Sequence, residues 1–164
     1  MKTLNQYIKE KLIVNKNYKP YTYAPKSFDE LRNIIEDRYD KLGAGTKDNP
    51  IDFNDIDVSN LDSFCNNKYQ GIFNYTDFKY IDISYWDVSN IKSMDSMFTY
   101  CEELKSVGDI SEWDVSNVTD MTCMFDRCKS FNQDLSGWDV SKVKFKTYIF
   151  LNRPIKEEYK PKFK

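Results

Sequence analysis

The sequence predicts an α/β solenoid of about four strand-helix coils closed by an N-terminal helical cap, and three observations predict it. Trp-Asp-Val-Ser recurs at Trp86, Trp113 and Trp138, with a degenerate copy at Ile56-Asp57-Val58-Ser59, in steps of 30, 27 and 25 residues. A second apolar pair follows the same rhythm, as Ile72-Phe73, Met97-Phe98, Met124-Phe125 and Ile149-Phe150, in steps of 25, 27 and 25. Ahead of the repeats lies one self-contained amphipathic segment with its own start and stop signals. A repeat of this length is one supersecondary unit that must stack on its neighbours to bury its apolar face.

Residues 1–25 read as an amphipathic helix and a linker. Leu4, Ile8 and Leu12 share one helical face, and Pro20-Tyr-Thr-Tyr-Ala-Pro25 separates them from the cap. A helix this short is marginal in water unless it docks on its own domain or on another protein. Residues 26–50 carry the cap. Ser27 with Glu30 forms a capping box, Phe28, Leu31, Ile34, Ile35 and Leu42 make the stripe, and Gly43 ends the helix. The turn Gly43–Pro50 leads into the repeats.

Residues 51–151 hold the coils, and the cleanest runs from Trp113 to Gly137. Trp113 and Val115 alternate with Asp114 and Ser116, the period of a half-buried strand, whereas Val118, Met121, Met124 and Phe125 fall at helical spacing. Ser116 and Asn117 stand where they can cap that helix, and Asp120 adds charge to its first turn. Stacked coils place equivalent strands about 4.8 Å apart, so the indoles and the Phe rings form ladders through the core. Cys101 and Cys128 each follow the repeat Phe by three residues and become neighbouring buried thiols, close enough for a disulfide in an oxidising compartment. Residues 152–164 read as a frayed basic tail, in which Arg153 takes the cysteine position and Pro154 stops the pattern.

The spacing Phe-x-x-Cys-x-x-(Phe/Leu), followed by (Leu/Ile)-Ser-x-Trp-Asp-Val-Ser-Asn-Val-x-x-Met, closely resembles the BspA-like leucine-rich-repeat proteins over roughly residues 50–151. The resemblance implies a short leucine-rich-repeat-like solenoid with a binding or structural role, usually at a bacterial surface and rarely with an activity. The opening Met1-Lys2-Thr3, with Tyr7, Ile8 and Glu10, resembles the N-terminal targeting peptides of proteins packaged into tailed-phage heads. That second resemblance implies a phage-encoded chain, virion-packaged or directed at the host.

Composition narrows the function classes. At 164 residues, 40% hydrophobic and 16% aromatic, the chain is one domain's worth with a real core, and its formal charge of −2 argues against nucleic-acid binding. Charges at Lys9, Glu10 and Lys11 interrupt any secretory leader, and no stretch is long and apolar enough to insert in a membrane. The expected location is therefore the host cytoplasm or a virion, with a bacterial cell surface reached by a non-standard route as the alternative.

No catalytic residue and no cofactor is expected. With no histidine and no Cys-x-x-Cys pair, neither a zinc site nor a cysteine nucleophile with its usual base is encoded. Asp57, Asp87, Asp114 and Asp139 should stack as a carboxylate column, each held by turn hydrogen bonds; calcium on that column is the metal-binding alternative. Paired carboxylates also perform glycoside hydrolysis, but a flat ladder supplies no apolar pocket to raise one pKa, so a hydrolase is the last alternative. What remains is recognition of a protein partner of unknown identity. The candidate face comprises Tyr85, Asp87 and Ser89, then Glu112, Asp114 and Ser116, then Gly137, Asp139 and Ser141, with Leu4, Ile8 and Leu12 as a candidate docking helix. An adhesion fragment at a bacterial surface is the runner-up.

Overall fold

A computed structural model describes residues 21–66, 70–152 and 155–163. The N-terminal face of Leu4, Ile8 and Leu12, Arg153 and Pro154 lie outside the described residues. Among the described residues the regular elements are α1 (Phe28–Leu42), β1 (Ile51–Asp52), β2 (Ile81–Asp82) and a 3-10 turn at Glu157–Tyr159.

α1 forms where its local signals place it. Ser27 is extended and its hydroxyl accepts the Glu30 amide at 3.2 Å, while Glu30 reaches back to the Lys26 amide at 2.8 Å. Gly43, at φ 73°, ends the helix by donating to the Tyr39 carbonyl at 2.7 Å. Leu31 and Ile35 are fully buried, Phe28 and Ile34 pack on the core from its margin, and Leu42 lies exposed. Tyr39 meets Phe78 edge-on with centroids 5.0 Å apart, and Arg38 binds both carboxylate oxygens of Asp55. The helix thus covers the first repeat unit.

The repeats do not form strand-helix coils, and the chain is not a leucine-rich-repeat solenoid. Among the described residues α1 is the one α-helix, and regular strand is confined to the two-residue β1 and β2, paired in parallel at Ile51 with Ile81 and Asp52 with Asp82. The rest of the repeat region is irregular, a succession of turns. Neighbouring units are nonetheless in register, because isolated parallel bridges run Ser63 to Ser93, Ser93 to Asp120 and Asp120 to Phe145.

The helical spacing has a different origin. In the second unit the amides of Met97, Thr99 and Cys101 donate three residues back, to Met94, Ser96 and Phe98. A string of such turns puts apolar groups three and four residues apart just as a helix does. The intervening amides of Met94, Ser96, Phe98 and Tyr100 point away and donate to Asp120, Thr122, Met124 and Asp126 of the next unit, all at 2.9 Å. Met121, Cys123, Phe125 and Arg127 repeat the pattern against residues 145–151. This alternation requires a left-handed backbone at Ser96 (φ 56°) and Tyr100 (φ 62°), at Cys123 (53°) and Arg127 (60°), and at Tyr148 (59°) and Asn152 (56°). Each such non-glycine residue costs about 1–2 kcal/mol, which the lateral bonds and the packing beneath them offset.

The strand read at Trp113 to Ser116 is corrected in the same way. Burial alternates there as expected, but Val118 donates back to the Val115 carbonyl at 2.9 Å, so the segment is a turn. Asn117 is not a helix cap either. Its side-chain amide donates to the Ser89 carbonyl at 2.9 Å, as Asn90 does to Ser59, so these residues clamp one unit to the one before.

The core is the aromatic ladder. Phe73, Phe98, Phe125 and Phe150 stack with centroids 5.4, 5.3 and 6.0 Å apart and interplanar angles of 7°, 13° and 12°. Trp113 and Trp138 stack at 6.2 Å, whereas Trp86 lies on Phe73 at 5.8 Å. Cys101 and Cys128 are buried free thiols, as neighbouring units predict, and each donates to the ladder carbonyl of the preceding unit, Phe73 and Phe98, at 2.9 Å. The tail is not frayed over its described residues: Ile155 and Pro161 are buried, and the Tyr159 carbonyl accepts the Leu135 amide at 2.9 Å. Among the described residues no helix is long and apolar enough to cross a membrane.

Candidate functional site

The candidate face is built from turns that aspartate side chains hold. Asp57 accepts the Ser59 amide at 3.0 Å and its hydroxyl at 2.6 Å, and Asp87 accepts the same groups of Ser89 at 3.2 and 2.7 Å. Asp114 takes the Ser116 amide at 3.1 Å and Asp139 the Ser141 amide at 3.0 Å. A carboxylate that accepts its own backbone two residues on is tied into the turn. The column thus has a structural job in every unit.

A second column escaped the sequence reading. Asp82 accepts the Ser84 amide at 2.9 Å and hydroxyl at 2.6 Å, Asp109 those of Ser111 at 3.1 and 2.8 Å, and Asp134 the Ser136 amide at 2.9 Å. In the first unit Asp52 does the same for the Asn54 amide at 2.8 Å. The signal was present: an Asp-x-(Ser/Asn) five residues ahead of each Asp-Val-Ser, at the tryptophan motif's own steps. The amide and hydroxyl of Ser136 hold the Asp134 carboxyl below its ordinary range.

Between the paired turns one position projects outward and differs from unit to unit. It is Tyr85 in the second unit, 50% exposed, then Glu112 and Gly137, both exposed. In the first unit it is Asp55, which the salt bridge to Arg38 of α1 takes up. An open groove runs between the third and fourth units, with Asp109, Ser111 and Glu112 on one side and Gln133, Asp134 and Gly137 on the other. Gln133 ties its floor, accepting the Val107 amide at 3.0 Å and donating to the Gly108 carbonyl at 2.6 Å. Gly108, at φ 83°, is required there, since a Cβ would lie 2.3 Å from the Ser84 hydroxyl and 2.4 Å from the Asp82 carboxylate.

Among the described residues no three histidine, cysteine or carboxylate side chains converge as metal ligands. Burial pushes the Cys65 thiol up to about 12, with the Asp95 and Asp120 charges adding to it, and burial pushes Cys101 up to about 11. Burial also raises Cys123. A thiol so raised carries little thiolate at neutral pH, and the thiolate is the nucleophile.

The structure therefore brings Tyr85, Asp87 and Ser89, Glu112, Asp114 and Ser116, and Gly137, Asp139 and Ser141 into equivalent positions of successive stacked units. It assigns the Asp and Ser members to holding the turns, and leaves Tyr85 and Glu112 as the projecting groups. The sequence model of the family described as Mycoplasma protein of unknown function, DUF285, matches residues 48–158, the repeats with the turn that precedes them and part of the tail. Neither the curated proteins nor the solved structures hold a significant match.

Proposed function

The chain belongs to the family described as Mycoplasma protein of unknown function, DUF285, and we propose that its repeat face is a non-enzymatic surface for binding another protein. The observation that carries this reading is the division of labour within each unit. In every copy two aspartates each accept the backbone amide two residues on, while the residue between the two turns changes, from Tyr85 to Glu112 to Gly137, and is exposed in each of these. A fixed frame with an interchangeable outer residue presents side chains at set intervals, which suits recognition of an extended surface. The carboxylates that a hydrolase would need free are tied to backbone amides, and no apolar pocket surrounds them to separate their pKa values.

The resemblance of the repeats to BspA-like surface proteins supports binding over catalysis, although the leucine-rich-repeat fold of those proteins does not carry over. The phage-head resemblance rests on the first ten residues, which lie outside the described ones.

A photo-reactive amino acid placed at Tyr85 or at Glu112, with a control at the exposed Asp37 of α1, tests the face. Adducts from Tyr85 and Glu112 in a lysate of the source organism should converge on one protein that the Asp37 probe does not capture. Adducts identical at all three positions, or none from the repeat face, contradict the proposal.

A further inference from the structure

The last repeat unit leaves two of its outward amides without a partner among the described residues. In each inner unit, left-handed residues aim their amides at the next one: Cys123 donates to Thr147 at 2.9 Å and Arg127 to Leu151 at 3.1 Å. Tyr148 and Asn152 hold the same conformation, at φ 59° and 56°, and their amides have no partner among the described residues. Elsewhere on this end the chain closes its own edge, since the tail supplies the Tyr159 carbonyl to the Leu135 amide. At the opposite end the terminal carbonyls are closed as well. Arg32 of α1 donates to Ile72 at 2.9 Å and to Asn74 at 3.4 Å, the carbonyls that a preceding unit would have met.

The side chains on this edge change character at the same place. Bridged positions run Ser93, Asp120, Phe145. The equivalents three and six residues on follow suit: Ser96 and Cys123 give way to Tyr148, and Thr99 and Asp126 to Leu151. Phe145, Tyr148 and Leu151 are 61%, 59% and 42% exposed. A terminal repeat that ends in water carries a polar outer face. Here the polar positions of the inner units become large and apolar on the outermost described unit, where these three side chains stay exposed among the described residues, the pattern of a contact surface rather than of a solvated end.

The geometry points to this rung, residues 145–152, as the docking edge for an extended acidic segment of another protein, which adds to the stack as one more layer. Main-chain carbonyls of the segment accept from Tyr148 and Asn152, its apolar side chains cover Phe145, Tyr148 and Leu151, and its acidic side chains meet the basic rim. The tail brings basic groups onto this rung, with Lys146 over the Phe163 ring at 5.4 Å and Lys160 over the Phe150 ring at 5.9 Å, and residues 142–162 hold six lysines against Glu157 and Glu158 in a chain whose overall charge is −2. Residues 1–20 carry five lysines and one glutamate, a charge of the same sign as this basic segment. A second copy joined head to tail is excluded by Arg32, which already holds the carbonyls that such a copy would offer. This edge is separate from the repeat face of Tyr85 and Glu112, and neither reading depends on the other.

The test uses the isotopically labelled full chain and two ten-residue peptides, one alternating glutamate with valine and the other lysine with valine. The acidic peptide should bind and slow exchange of the Tyr148 and Asn152 amides at least tenfold, and the lysine peptide should not bind. Lys144→Glu with Lys146→Glu should weaken the acidic peptide at least tenfold, and Phe145→Ser with Leu151→Ser should do the same without altering the spectrum of α1. Four results overturn the proposal: protection of the two amides in the free chain at low concentration; their protection by self-association; equal binding of an oligothymidylate of the same charge; or no binding of the acidic peptide at millimolar concentration.

Discussion

The three tryptophans occupy equivalent positions, yet replacing each with phenylalanine should have unequal effects. Trp86, Trp113 and Trp138 are alike in burial, at 2%, 4% and 5% exposed. Their indole nitrogens differ. Nε1 of Trp86 donates to the Phe53 carbonyl at 2.8 Å and that of Trp138 to Ile110 at 2.9 Å, whereas Nε1 of Trp113 is buried with no acceptor. The shared term is the lost ring volume. On top of it, Trp86→Phe and Trp138→Phe forfeit a hydrogen bond with a net contribution of about 0.5–1.5 kcal/mol, while Trp113→Phe removes an unsatisfied donor that costs about 1–3 kcal/mol. The Phe53 and Ile110 carbonyls keep their turn bonds from Ile56 and Trp113, so no acceptor is orphaned. Trp113→Phe should therefore be milder than either neighbour by about 1.5–4.5 kcal/mol. Urea unfolding of the three variants and the parent reads this directly, provided the m-values agree. Three losses equal within about 0.5 kcal/mol would refute the hydrogen-bond reasoning, and full truncation by Trp113→Ala should still cost about 3–5 kcal/mol.

Three further outcomes are expected. Arg32→Ala strips the terminal Ile72 and Asn74 carbonyls of their donor, and because the guanidinium is partly solvated the loss in urea unfolding should be about 1–2 kcal/mol; no change would mean that water replaces it fully. Asp95 is 6% exposed, its carboxyl raised by burial and by the Asp120 charge against the lowering hydrogen bond from Ser96. A raised carboxyl penalises the folded state above its folded pKa and ceases to do so as pH falls through it, so Asp95→Asn should be more stable than the parent at pH 7, with the difference closing on acidification. Pulsed thiol labelling read by mass spectrometry should leave Cys101 and Cys128 unmodified in the native state and modify Cys65 and Cys123 slowly, and fast labelling of Cys101 would contradict its burial.

Local information was legible in the sequence, and backbone conformation inside the repeats was not. The signals of α1 act within a few residues, so Ser27, Glu30 and Gly43 fixed its ends, and only the last member of its stripe, Leu42, failed to find a partner. The repeat register, the phenylalanine ladder and the buried thiols were legible because burial follows position in the unit. The helix in each coil was misread because turns closed three residues back give the same apolar spacing as an α-helix. What separates the two is the left-handed backbone at Ser96, Tyr100, Cys123 and Arg127, and none of these residue types announces it as glycine would. On the candidate face, the Asp-Val-Ser column was read and its Asp-x-Ser companion was not, although both obey one period. The apolar switch at Phe145, Tyr148 and Leu151 acquires meaning only once the stacking direction places them on the outermost described unit.

The central claim is that each repeat is a string of turns bonded sideways to its neighbour, and backbone couplings and intraresidue amide-to-α-proton NOEs over residues 94–101 and 121–128 test it most directly. The account predicts the strong intraresidue contact of positive φ at Ser96, Tyr100, Cys123 and Arg127 alone, with hydrogen bonds detected from Phe98 to Met124 and from Phe125 to Ile149. Uniform helical couplings through both segments, with amides bonded four residues back, would contradict it.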